Sequence, residues 1–290
     1  MHGSRSTSTG LLEQLSRNST PYHDPLSTVG WDNLDRKSFW LPEPAVSLYG
    51  VESYMALPVE RRHILSHYEF LNFIAAGLWL EGIFMERISR SLRRPPDDLA
   101  RGAYRLHELR EEAGHSLMFL ELMRRTGMTL PSRRFWRFNL GNVLGRYAPF
   151  QSTAFWAGVL IGEEVPDRMN RYIRKHRDQI CPAIYDMVSA HVIDEARHIA
   201  HARDTLESKL QTLPDWRLAL YRPIIKTAFR QFVAAFYFPG AEVYELAGLK
   251  PGTRWAKAAR TNPHRMRFVD DNVGSTLRAL KKKGIALDWK

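Results

Sequence analysis

The sequence predicts an all-α protein, on three observations: apolar residues recur at helical spacing through several long runs, prolines and glycines punctuate those runs, and nothing reads as a sheet. With 290 residues and 44% hydrophobic content, the chain can build a packed core in one large domain or two ordinary ones. Residues 1 to 57 are rich in Pro, Ser, Gly and Asp, with turn pairs at Asp24-Pro25 and Glu43-Pro44. They predict a long irregular N-terminal arm whose first residues, Met1 to Gly10, are disordered. Because the arm also carries Trp31, Phe39, Trp40, Leu41 and Tyr49, it is expected to pack on the helical body.

The first helix is expected from Val59 to about Arg93, with Leu65, Leu71, Ile74, Leu78 and Phe84 among its apolar positions, before Pro95-Pro96 stops it. A second starts at Pro95-Pro96-Asp97-Asp98 and runs to Arg125, with Gly127 as its C-terminal stop. A basic, aromatic crossover follows at Pro131 to Leu140, then a third run from Asn142 to His176 with kinks at Pro149 and Pro166. The fourth helix spans Pro182 to Leu210 and the fifth Asp215 to Tyr237. Shorter pieces at Ala241–Leu246 and Asn272–Lys282 close the chain. The domain reading is an arm over 1–57, a helical bundle over 58–240 and a C-terminal helical extension over 241–290.

Several classes are set aside by composition. A single cysteine, Cys181, leaves no internal disulfide and no Cys-based zinc or iron–sulfur cluster, which fits a reducing compartment. No secretory leader is read at the N-terminus, and a cytoplasmic protein is expected. The longest apolar stretch, Phe70 to Met85, is broken by Asn72, Glu81 and glycines, so no membrane span is expected. Net charge is +11, but the basic residues are scattered and no nucleic-acid-binding signature accompanies them. Solvated surface accounts for most of that charge; an anionic substrate or an acidic carrier protein is the partner it would suit.

The chemistry lies in a repeated pattern. Glu81 is followed 31 residues later by Glu112-x-x-His115, and Glu164 is followed 31 residues later by Glu195-x-x-His198. Residues three apart share a helix face, so each Glu-x-x-His aims an oxygen and a nitrogen at one point. Two such pairs with two lone glutamates form the ligand cage of a dinuclear metal site in a ferritin-like four-helix bundle. Glu60-x-x-His63 has the same spacing but sits in an arginine-flanked first helical turn, where Glu60 suits the helix dipole. Glu81 stands in an apolar run, where an ionised carboxylate needs a compensating cation; its competitor Glu86 is flanked by Arg87 and Arg90. Of the adjacent Glu163 and Glu164, which stand about 100° apart on a helix, the 31-residue spacing selects Glu164.

The two halves differ at one place on the arc. Glu108, Glu112 and His115 line up on the second helix, and His191, Glu195 and His198 on the fourth. His191 is either a seventh ligand or a histidine supporting the ligands from behind. Glu111, Asp194 and His201 point away from the arc, and a place behind the ligands or on the surface suits them better. Oxygen-rich ligation with imidazoles suits iron, with manganese as the alternative, and two irons with dioxygen as co-substrate are expected. Phe119 stands where a ribonucleotide reductase small subunit would carry its radical tyrosine, which weighs against that activity.

With His191-x-x-x-Glu195-x-x-His198 added to the paired pattern, the chain resembles the p-aminobenzoate N-oxygenase family, the arylamine oxygenases of the aureothin-pathway type. Pro25-Leu26-Ser27-Thr28 before Trp31, and Leu48-Tyr49-Gly50, add to the likeness, which covers about residues 20 to 240. The resemblance implies that Glu81, Glu112, His115, Glu164, His191, Glu195 and His198 hold two irons. It implies oxidation of a small-molecule amine at nitrogen, towards hydroxylamine, nitroso or nitro, in natural product biosynthesis. It also implies an external electron donor or reductase and a homodimer. Arg168 is a candidate anchor for a substrate carboxylate or phosphate, and Phe119, Leu160 and Ala157 are candidate pocket walls. The alternatives are a di-iron C–H hydroxylase or desaturase on the same bundle and, third, a non-catalytic iron-binding protein.

Overall fold

In the computed structural model, which describes residues 3–93, 96, 98–131 and 140–290, every regular element among the described residues is a helix. Four long helices build the centre: α4 (Val59–Ser91), α5 (Leu99–Thr126), α7 (Thr153–Lys175) and α8 (Pro182–Gln211). Their ends follow local chemistry. The Asp98 side chain accepts from the Arg101 N–H at 3.1 Å to start α5, and Gly127, at φ 56°, takes the left-handed conformation that ends it. Ser152 caps α7 through the Phe155 N–H at 3.2 Å. The third predicted run is two helices rather than one kinked helix: α6 (Leu140–Tyr147) ends before Pro149 and α7 begins beyond it, whereas Pro166 lies inside α7. Pro95, Asp97 and the crossover at 132–139 lie outside the described residues.

α4 packs along α5 and α7 along α8, while α5 meets α8 and α4 meets α7. The helix α9 (Asp215–Tyr237) lies against α7 and α4. Their apolar faces form one core that includes Phe70, Ile74, Met118, Leu160, Val165, Met187 and Phe229. No helix among the described residues is long and apolar enough to cross a membrane.

The N-terminal segment departs from expectation. Instead of a disordered start it forms α1 (Gly3–Ser19), followed by the short α2 (Pro25–Thr28) and α3 (Glu52–Met55). Leu12 and Leu15, a turn apart, are buried with Tyr104 of α5, so one apolar stripe inside a Ser/Thr-rich stretch is enough to dock the helix. Further on, Trp40 and Leu41 are buried in the main core, as their size predicted. His67 of α4 stacks 4.3 Å from the Trp40 ring and donates through Nε2 to the Ser38 carbonyl at 2.8 Å.

Beyond α9 come α10 (Ala241–Leu246), α11 (Gly252–Thr261) and α12 (Pro263–Lys282), the last two more extensive than the Asn272–Lys282 piece that periodicity shows. Asn262 caps α12 through the His264 N–H at 3.0 Å with Pro263 following it, a start signal carried by the local sequence. Buried Arg265 donates to the carbonyls of Ala45 and Tyr237, and thus ties α12 to the arm and to the end of α9.

Candidate metal centre

Four carboxylates and three imidazoles converge between α4, α5, α7 and α8 in two adjoining groups: Glu81, His115, His191 and Glu195, and Glu112, Glu163, Glu195 and His198. Within each group the ligand atoms lie within 4.8 Å of one another, and every member is buried. Glu195 belongs to both. Its Oε1 lies 3.6 Å from His115 Nδ1, 3.4 Å from His191 Nε2 and 3.6 Å from His198 Nδ1. His115 Nδ1 also faces Glu112 at 3.4 Å and Glu81 at 3.6 Å, while His198 Nδ1 faces Glu112 at 3.2 Å.

Behind the cluster each histidine is held by its other nitrogen. His115 Nε2 lies 3.1 Å from Asp194, and His198 Nε2 lies 2.9 Å from Glu111. The acid preceding the ligand-position glutamate on one helix therefore supports the histidine of the other. Arg197 donates to both acids, to Glu111 at 2.7 Å and to Asp194, which closes a clamp across α5 and α8. Such outer carboxylates fix ring orientation and tautomer and make the inner nitrogen a better ligand. His191 is held differently: its Nδ1 lies 3.1 Å from the Asn170 side-chain amide of α7, which donates to Nδ1 while Nε2 carries the proton and, turned over, accepts from Nδ1–H when Nε2 meets a metal.

The buried carboxylates and imidazoles of the cluster displace one another's titration in pairs. Burial, the Glu112 charge and the hydrogen bond to it raise Glu81 well above the carboxylate range; burial and Glu195 do the same to Glu163. Burial would also raise their partners, but the hydrogen bond from Glu81 and the charge of His198 hold Glu112 well below that range. The charge of His191 and the hydrogen bond from Glu163 bring Glu195 to about 2. Burial disfavours charged imidazoles, yet His115 and His198 are raised by the acids around them, whereas burial and neighbouring His115 lower His191 to about 4. Protons thus stand where metal ions would. Even so, Glu81 Oε2 and Glu195 Oε2 are buried without a hydrogen-bond partner, which costs free energy unless something else satisfies them. Carboxylate oxygens and imidazoles without thiolates fit hard or borderline redox metals such as iron or manganese.

Six of the seven residues expected as ligands meet here; Glu164 does not. It accepts from Arg203 at 2.5 and 2.8 Å and from Thr276 of α12 at 2.6 Å, with Arg168 at 3.9 Å, and so ties α12 to α7 and α8. Glu163 takes the place assigned to it. The second half is spaced 32, not 31, residues from lone glutamate to Glu195, and one residue turns a side chain about 100° around the helix. Glu108 is also turned aside, accepting from His201 Nδ1 at 2.7 Å, so His191 has no counterpart in the first half. Glu86 is exposed and paired with Arg90 at 2.9 Å, and Glu60 and His63 lie outside both groups.

A mostly apolar cavity opens on the cluster. Phe119 lines it, as expected, with its ring 5.4 Å from that of His191. Leu160, Ala157 and Arg168 do not: the first two are packed in the core, and the third leans toward Glu164. The α7 face that reaches the cavity is Gly162, Glu163, Pro166 and Asn170, a helical phase that would have selected Glu163 over Glu164. Glu111, Asp194 and Arg197 were legible only as the acid placed before each ligand glutamate and the arginine before His198.

The class these features define is an all-α protein with a buried carboxylate–histidine cluster suited to a pair of metal ions. The chain belongs to the AurF family: the family model described as P-aminobenzoate N-oxygenase AurF matches residues 3–284. It is 28% identical over 233 residues to uncharacterized proteins of Mycobacterium tuberculosis (strains CDC 1551 / Oshkosh and ATCC 25618 / H37Rv) and Mycobacterium bovis (strain ATCC BAA-935 / AF2122/97). Those matches cover 78% of this chain, which spans 63% of the length of these relatives.

Proposed function

We propose that the protein is a di-iron oxygenase that oxidises an amine at nitrogen. The observation that carries this is the pair of overlapping ligand groups sharing Glu195, with buried carboxylate oxygens left without partners, in a chain of an N-oxygenase family. Glu81, His115 and His191 would hold one ion, Glu112, Glu163 and His198 the other, and Glu195 would serve both. Two irons bound there supply the electrons and Lewis acidity that dioxygen activation requires.

The protein's own groups do the rest. Asp194 and Glu111 keep His115 and His198 presenting Nδ1 inward, and Asn170 keeps His191 presenting Nε2. The Phe70, Phe73, Phe84, Phe119 and Phe236 walls exclude water from the reacting nitrogen and hold the body of the amine. Electrons reach the site from an external donor, and an acidic carrier protein is a partner the +11 charge would accommodate.

The test is a single-turnover reaction. Protein reconstituted with ferrous iron is exposed to labelled dioxygen with a panel of amines, and products are read by mass spectrometry. Label incorporated at nitrogen is expected; products labelled only at carbon would replace this reading with a hydroxylase.

A further inference from the structure

We infer that the cavity beside the candidate metal centre selects an uncharged, largely apolar arylamine and disfavours amines that carry a carboxylate; this rests on the N-oxygenase reading. The cavity lining sets the acids and imidazole of the metal side, Glu81, Glu112, Glu163, His191 and Glu195, beside phenylalanines, Met187 and Val188. Among the described residues no lysine or arginine lines it.

Of the two cations nearest in sequence to the α7 wall, Arg168 is outside the lining with its Nη2 3.9 Å from Glu164, and Arg171 pairs with Asp167 at 2.6 Å. Arg87 borders the smaller apolar pocket on the other side of Glu112 and Glu163, but its guanidinium donates to the carbonyls of Arg146 and Ala148 and covers the Phe155 ring at 5.0 Å. Among the described residues Asn170 is the neutral amide of the lining, and its Nδ2 is engaged by His191.

A substrate carboxylate pushed against the apolar lining would lose its water and meet no cation among the described residues. Four ligand carboxylates already balance the charge of two divalent ions, so the metal side offers no surplus attraction for an anion placed across the cavity. An arylamine without a charged substituent meets neither cost. It is neutral at neutral pH with its nitrogen lone pair free, and its ring can pack edge or face against the phenylalanines.

The experiment compares 4-ethylaniline with 4-aminobenzoate, which differ little in length. Binding is measured on iron-loaded protein held without dioxygen, and nitrogen oxidation after dioxygen is admitted. The expected result is a Kd for 4-ethylaniline at least about tenfold below that for 4-aminobenzoate, with the same order in KM. Equal or tighter binding of 4-aminobenzoate, or no binding of either, overturns the inference. Nitrogen oxidation that persists under equal binding shows that the oxygenase reading stands while the substrate class falls. Preferred binding of 4-ethylaniline without any nitrogen oxidation supports the ligand class and removes the oxygenase reading instead.

Discussion

Adjacent glutamates with opposite duties show what a single position decides. Glu163 faces the cluster with its proton shared toward Glu195, whereas Glu164 is locked between Arg203 and Thr276. Replacing Glu163 by Gln removes an anionic ligand but keeps the shape, so iron bound per chain should fall while the melting temperature of the metal-free protein holds or rises. Glu164→Gln should keep its iron, but it breaks charge-assisted hydrogen bonds in a buried place and should cost about 1.5–3 kcal/mol in denaturant unfolding. The reverse pattern would restore Glu164 as the ligand. His67 makes a second residue-level case. Buried against Trp40, it is lowered from the usual imidazole value to about 4. Its contribution to stability is complete above the unfolded value near 6.5 and is lost as pH falls from there towards about 4, a span worth about 3 kcal/mol. His67→Gln should flatten the stability profile across that window, as followed by chemical denaturation at stepped pH.

At the scale of helices, most boundaries could be read from the chain because caps and breakers are local: Asp98, Gly127 and Pro182 mark ends that need no tertiary information. What could not be read depended on partners. α1 forms because Leu12 and Leu15 find Tyr104, and the face of α7 that meets the metal side is fixed by packing against α8 and α4. The 31-residue repeat misled for the same reason, since equal spacing guarantees equal phase only if the intervening turns are equal, and the two halves are joined differently. Arg197 acts on this scale as well, because it links the acids behind His115 on α5 and His198 on α8. Arg197→Ala should leave each ligand in place but free both outer carboxylates, lowering metal affinity by about 10–100-fold, while Arg197→Lys, able to reach one acid at a time, should fall between. Titration of iron-free protein with Co²⁺, whose absorption reports ligand geometry, measures both; wild-type affinity and spectrum in the alanine variant would make the clamp irrelevant to the site.

For the whole molecule, the cluster couples metal, protons and folding. Glu81, Glu163, His115 and His198 all hold protons more tightly in the metal-free fold than in the unfolded chain. Each therefore supports the metal-free fold at pH below its unfolded value and loses that support as pH rises through its folded value. Glu112 and Glu195, held low, act oppositely and lose their contribution only as pH falls into the acid range. A metal ion takes the place of the shared protons, so its uptake should release protons and its apparent affinity should climb with pH. It follows that the stabilisation due to metal is greatest where the metal-free protein is weakest. At free metal about one hundred times the dissociation constant, one site adds about 2.7 kcal/mol to unfolding, and the increment at fixed metal should widen from mildly acidic to mildly alkaline pH. Calorimetric titration in buffers of different ionisation enthalpy counts the protons, and melting curves with and without chelator across the same pH range read the increment. Metal uptake without proton release, or an increment that shrinks as pH rises, would mean that the ion binds somewhere other than between these seven side chains.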